Sequence, residues 1–236
     1  MQHTSGEMRW LPIMLAVACA QCAQASGGDD PPATETAGRT KHHMRETLGD
    51  LRNVERMLIA GKLEDAKVLA HFLSQPSGRI ADSAEAREIT LAAGMLINAR
   101  TTEEALRHEL RVATACATCH QRVQKLPVFA LPSKAPPDDP NISAQMARHR
   151  WAADRLWEGL IGASDTHWRA GLYVIATSSL PRSKDISASL ATKLQATARE
   201  ALDAREPLSL DARANAYGDL LITCAGCHAQ RPAKRR

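Results

Sequence analysis

The pentapeptide Cys-Ala-Thr-Cys-His at 116–120 determines how the rest of the chain is interpreted, and a second copy, Cys-Ala-Gly-Cys-His, occurs at 224–228. Both copies have the pattern Cys-x-x-Cys-His, the attachment sequence of c-type haem. In that chemistry the two cysteines form thioether bonds to the porphyrin, and the adjacent histidine binds the iron. On a helix, positions i, i+3 and i+4 share one face, so the three side chains of each copy point the same way. We therefore predict two covalently bound haem c groups, held by Cys116, Cys119, His120, Cys224, Cys227 and His228.

Two other uses of paired cysteines fit the sequence less well. A dithiol redox pair belongs to a setting in which strands and helices alternate, and the chain lacks that pattern. A four-cysteine zinc site would have to join pairs that lie 108 residues apart. Tetrahedral zinc also has no need for a histidine directly after each pair.

The composition indicates an all-α protein. Hydrophobic residues make up 44% of the chain, but aromatic residues only 3%. The core must therefore consist of Ala, Leu, Ile, Val and Met, as in helix bundles. The net charge is +4, with both signs interspersed and no basic stripe beside aromatic residues. We expect no nucleic-acid partner.

Residues 1–25 are typical of an export signal. Arg9 precedes an apolar run from Trp10 to Ala20, and Ala23–Ala25 forms a small-x-small cleavage site. The run is too short for a permanent transmembrane helix, and no other segment is apolar enough to be one. Cleavage there leaves four cysteines, all within the two motifs. We predict a periplasmic protein, with a lipid anchor at Cys19 and membrane attachment as the alternative.

Apolar residues recur at helical spacing in eight segments. The predicted helices span 42–60, 63–73, 82–98 and 101–124 in the first half, and 143–161, 165–177, 185–204 and 209–230 in the second. Each motif lies on the fourth helix of its half. Met44 and Met146 lie 102 positions apart, at the start of equivalent helices, so the halves form an internal repeat.

Composition also separates these halves from their connections. Residues 26–41 are rich in Gly, Pro, Asp and Thr, which predicts a flexible leader. Five prolines in 126–142 predict a linker between domains. The two predicted domains span 42–125 and 143–230, and a basic tail, 231–236, follows them.

With the motif on its last helix, each half resembles the class II cytochromes c, the cytochrome c′ and cytochrome c556 group. The resemblance covers nearly all of 42–125 and 143–230, and its specific part is the Cys-x-x-Cys-His motif. It implies two tandem four-helix bundles of up-down-up-down topology, each with a haem between its helices.

The sixth iron ligand determines the chemistry of such a haem. In an antiparallel bundle the start of the first helix faces the end of the fourth, where the candidates are His42, His43, Met44, Met146 and His149. The resemblance implies either a methionine early in the first helix, as in c556-like proteins, or an open site, as in c′-like ones. We predict Met44 and Met146, with His149 as the alternative in the second half.

These features together predict an exported dihaem cytochrome that transfers single electrons between periplasmic redox proteins, and not an enzyme. The alternative is a protein that binds or senses NO or CO at an open sixth position. A peroxidase has little support, since no acid–base pair can be assigned near either iron.

Overall fold

The computed structural model describes residues 33–75, 83–179, 188–204 and 207–230. The described residues contain eight α-helices and no strand, which confirms the all-α prediction. The helices are α1 (Ala33–Ile59), α2 (Leu63–Leu73), α3 (Ala84–Ile97), α4 (Thr102–Arg122), α5 (Ile142–Ile161), α6 (Asp165–Thr177), α7 (Ala188–Asp203) and α8 (Leu210–Ala229). The predicted signal, 1–25, and the predicted basic tail, 231–236, lie outside the described residues.

The first helix is longer than predicted. It begins at Ala33, whereas the apolar spacing predicts a start at His42. Residues 33–41 lack the apolar periodicity on which the prediction depended. They nevertheless include residues of good helix propensity: Ala33, Glu35, Ala37, Arg39 and Lys41.

Side-chain caps hold the starts of the two helices that carry the motifs. At α4 the Thr101 hydroxyl accepts a hydrogen bond from the Glu104 amide at 3.1 Å, and the Glu104 carboxylate accepts one from the Arg100 amide at 2.8 Å. At α8 the Ser209 hydroxyl accepts from the Ala212 amide at 3.2 Å. Such caps stabilise a helix by about 1 kcal/mol each and fix where it begins.

Consecutive helices pack against one another in each half of the chain. Helix α2 packs on α3 and α3 on α4, while α5 packs on α6, α6 on α7, α7 on α8 and α8 on α5. The halves meet through contacts of α4 with α8 and with α5. Residues 40–236 form one compact unit, and residues 1–39 form another, of which 33–39 are described as part of α1. The predicted bundles, 42–125 and 143–230, fall within the larger unit, and their boundaries stay predictions.

Equivalent positions of the repeat meet between the two halves. Arg52 of α1 forms an ion pair with Asp154 of α5, 102 residues later, the same offset that relates Met44 to Met146. Helices α4 and α8 cross closely, since a Cβ on Gly218 would lie 2.7 Å from Leu110 Cδ1. These two positions share the 108-residue offset of the motifs. Contacts between equivalent positions are the pattern that a two-fold axis relating the two halves would produce.

The proline-rich segment between α4 and α5 packs along the second half. Residues 126–140 form no helix, and the Phe129 ring lies edge-on to Trp157 and to His167, with centroid distances of 6.4 and 6.2 Å. The carbonyl oxygen of Ala130 lies 2.8 Å from His167 Nε2. The predicted linker is therefore held against α5 and α6 by side-chain contacts.

Gly171 of α6 tests the packing of α5 on α6, and Gly94 of α3 serves as the control. We expect Gly171→Ala to lower the free energy of unfolding by about 1–3 kcal/mol. The added Cβ would lie 2.7 Å from the Ala152 carbonyl oxygen and 3.0 Å from the Leu156 amide nitrogen. A Cβ on Gly94 of α3 would have nothing within 4 Å. Gly94→Ala should therefore raise the free energy of unfolding by about 0.5–1 kcal/mol. Urea denaturation measures the free energy of unfolding of both variants. Equal changes in the two would contradict the close approach of α5 and α6.

Candidate functional site

The second motif lines a cavity of about 600 Å³ near the C-terminal end of α8. Cys224, Cys227 and His228 all contribute to its wall, as expected for positions i, i+3 and i+4 of one helix. Helices α5 and α7 supply other parts of the wall, and so does α1 of the first half. The cavity has the size typical of cofactor sites.

The cavity also contains both predicted ligands from the second half. Met146 and His149 lie one turn apart on α5, and both line the same cavity as His228. The Nε2 atom of His149 is buried and has no hydrogen-bond partner. Burial lowers the pKa of His149, and the positive charge of Arg148 lowers it further. A neutral imidazole with an unpartnered nitrogen is a good donor to a transition metal, so this residue fits a haem iron.

The first motif lies at the end of α4. His120 Nδ1 lies 2.9 Å from the carbonyl oxygen of Lys125, and the Lys125 amide donates to the His120 carbonyl oxygen at 3.0 Å. Gln124, between them, has a φ of 53° and turns the chain back towards the helix. A backbone carbonyl that accepts the Nδ1 proton leaves Nε2 unprotonated, the usual arrangement in metal-binding histidines.

An ion pair beside the first motif joins α4 to α3. The Arg122 guanidinium donates to both carboxylate oxygens of Glu85, at 2.7 and 2.9 Å, and lies 3.9 Å from Cys119 Sγ. These hydrogen bonds from Arg122 lower the pKa of Glu85. The pair orients the last turn of α4, where the motif lies.

The structure does not bring Met44 into the cavity of the second motif. Met44 is partly buried in the N-terminal half of α1, and His42 pairs with exposed Glu46 at 3.1 Å. The C-terminal half of α1, from Arg52 to Ile59, and the following Ala60 line that cavity. Sequence reasoning missed Arg52, Glu55 and Arg56, because charged residues on an amphipathic helix normally face solvent.

His167, Trp157 and Trp168 are buried in the second half of the chain. His167 is only 4% exposed, and its two ring nitrogens contact Ser164 Oγ at 2.7 Å and the Ala130 carbonyl oxygen at 2.8 Å. His167 is therefore a buried residue with both ring nitrogens partnered. Trp157 and Trp168 are both 3% exposed and belong to the hydrophobic core.

Cys116, Cys224 and Cys227 lie in surroundings that disfavour thiolate. Burial raises the pKa of Cys116 and of Cys224 to about 12, and burial also raises that of Cys227. A dithiol redox pair requires the opposite shift, towards a lower pKa. Within the described part of the chain, no three His, Cys, Asp or Glu side chains converge as metal ligands.

No protein family, curated protein or solved structure matches the chain. The resemblance to the class II cytochromes c is thus carried by the motif and the helix order alone.

Among the described helices, none has both the length and the apolar composition needed to cross a membrane.

Thiol reactivity tests the environment of Cys224 in protein prepared without haem. At pH 8 a thiol with a pKa of about 12 is ionised in about one molecule in ten thousand, against roughly a quarter for an ordinary cysteine. We expect iodoacetamide to alkylate Cys224 about a thousand-fold more slowly in the folded chain than in urea, as measured by mass spectrometry. Equal rates would favour the dithiol alternative.

Proposed function

We propose that the chain is an exported dihaem c-type cytochrome that carries single electrons between periplasmic redox proteins. The cavity of the second motif carries the proposal, because it combines two cysteines and a histidine on one helix face with an unpartnered imidazole nitrogen from α5. The predicted signal at 1–25 supports export, since covalent haem attachment in bacteria takes place outside the cytoplasm.

Each motif would hold one haem. Cys116 and Cys119 would form the thioether bonds of the first, and Cys224 and Cys227 those of the second, with His120 and His228 on the two irons. A bound haem supplies a one-electron iron couple whose potential depends on axial ligands and burial. Arg56 and Arg150 line the second cavity, where their guanidinium groups suit the propionate carboxylates of a haem.

The sixth ligands distinguish electron carrier from gas binder. For the first haem we retain Met44. For the second, equivalence with Met44 favours Met146, whereas the buried, unpartnered Nε2 favours His149. We assign His149 to the second haem, since a buried imidazole nitrogen without a partner is costly unless a ligand binds it.

The crossing of α4 and α8 supports a relay between two haems. Leu110 and Gly218 meet at the crossing, and each motif begins six residues later on its own helix. At 1.5 Å per residue, each motif begins about 9 Å along its helix from the shared point. The packing of consecutive helices is compatible with two tandem four-helix bundles.

The number of haems per chain is the first test. A pyridine haemochrome assay on protein produced with a haem-attachment system should give two haems per polypeptide, and the colour should survive acid-acetone extraction. Replacing Cys116 and Cys119 by Ala should leave one haem, and the matched Cys224→Ala, Cys227→Ala variant should leave the other. A wild-type count of zero or one would refute the proposal.

The second test identifies the axial ligand on α5. We expect His149→Ala to convert one haem from low-spin to high-spin and open it to carbon monoxide, because the variant loses the sixth donor. Met146→Ala is the matched control and should leave both spectra unchanged. The reverse pattern would assign the thioether of Met146. A wild-type protein that is high-spin and binds carbon monoxide at both irons would favour the gas-binding alternative.

A further inference from the structure

The segment that follows the first motif has both apolar and basic side chains on its surface. Residues 121–137 contain three basic residues and no acidic one. Val123 and Leu126 are exposed, and Val128 and Leu131 are 97% and 82% exposed. Single exposed apolar side chains are normal, whereas four within nine consecutive residues are typical of a surface that contacts a partner.

Contacts at several points hold the backbone of this segment against the second half. Besides the ring contacts of Phe129, the Trp151 indole nitrogen donates to Ser133 Oγ at 3.2 Å. Arg148 of α5 donates to the carbonyl oxygen of Pro136. Four prolines within the segment restrict its backbone further. The exposed apolar side chains therefore project from a backbone that is already ordered, which lowers the entropic cost of binding a partner.

The charges of the segment favour an acidic partner. Arg122 is paired with Glu85, which leaves Lys125 and Lys134 as exposed cations, one before and one after the most exposed apolar residues. The first acidic residue beyond the segment is Asp138, whose carboxylate already accepts hydrogen bonds from the serine that follows α6. Such a surface is complementary to one that is apolar at its centre and acidic at its rim.

The segment also lies next to the proposed ligand of the first iron. His120 Nδ1 lies 2.9 Å from the carbonyl oxygen of Lys125, so one hydrogen bond joins this ligand to the segment. The rate of electron transfer between proteins falls steeply with distance, and a partner bound here would lie close to the first haem. Basic and apolar residues can also attract an anionic lipid surface, but a lipid surface gains nothing from a position beside an iron ligand. The position therefore favours a redox protein.

We propose that segment 121–137 is the docking surface for an acidic redox protein, which exchanges one electron with the first haem. This inference depends on the proposed cytochrome function, and it adds the class of partner and the place where that partner binds. When the chain is reduced, the partner loses one electron and the iron passes from ferric to ferrous, with no proton or other group transferred. Lys125 and Lys134 steer the partner by long-range attraction, and Val128 and Leu131 contact its apolar centre.

Stopped-flow reduction of the full-length dihaem protein by a reduced [2Fe–2S] ferredoxin, a small and strongly acidic one-electron donor, tests the charged part of this surface. At low ionic strength the double variant Lys125→Glu, Lys134→Glu should react about ten-fold more slowly than the wild type, because both attractive charges are reversed. Added salt should bring the two rates together, because it screens the charges. Arg100→Glu is the matched control and should keep the wild-type rate, since this exposed cation lies about 30 Å along α4 from His120.

The dependence of the rate on ferredoxin concentration tests the apolar part of the surface. Val128→Ser should raise the apparent dissociation constant of the complex by about three-fold, because less apolar surface is buried on docking. Val68→Ser alters a valine of α2 that is 63% exposed, and as the matched control it should leave the constant unchanged. Every variant should retain two haems and the wild-type midpoint potentials, so that a slower rate reports docking and not driving force.

Two results would overturn the docking surface. One is a wild-type rate in the lysine double variant together with a wild-type dissociation constant in Val128→Ser. The other is loss of binding to phosphatidylglycerol vesicles in the lysine double variant while its rate of reduction stays unchanged, which would assign the segment to a lipid surface. A haem count of zero would refute the cytochrome function as a whole, whereas two haems with unchanged rates would refute the docking surface alone.

Discussion

The guanidinium of Arg52 is the contact on which the joining of the two halves depends. It pairs with Glu55 on its own helix and with Asp154 of α5, and its carbon lies 5.1 Å from the centre of the Trp157 ring. The Arg52 side chain is 13% exposed and that of Glu55 only 2%. Breaking a buried pair by removing one partner costs about 3–5 kcal/mol, because the other charge is left uncompensated. Arg52 therefore holds α1 against α5 and supports the Tyr217 hydroxyl of α8.

This network lies at the interface between the two halves of the repeat. A chain that contains the same unit twice can bury the faces of the two units against each other, as a symmetric dimer does. Here Arg52 meets its equivalent Asp154, and Leu110 meets its equivalent Gly218. The halves have nevertheless diverged at these positions, since Glu109 stands where the second half has Tyr217. As a result, the buried Glu109 carboxyl has no hydrogen-bond partner.

Much of the helical architecture was predictable because its causes are local. The spacing of apolar residues and the cap at Thr101 predict α4 within two residues of its observed limits, and the predicted bounds of α2 and α6 agree with the structure. The start of α1 was predicted nine residues late, since residues 33–41 form helix without an apolar stripe. The two Cys-x-x-Cys-His motifs were found from their spacing. The expectation that the first and fourth helices of a bundle are antiparallel placed Met146 and His149 beside the second motif, where the structure has them.

The sequence by itself determined the helices and the six residues of the two motifs, because helix formation and the i, i+3, i+4 geometry depend on neighbours within one or two turns. Only the tertiary structure decided that Arg52 and Glu55 of α1 line the cavity of the second motif, and that Glu109 is buried. A charged residue on a helix face is solvated until another helix covers it. Its burial is therefore a property of the contact between the halves, made by residues more than one hundred positions away.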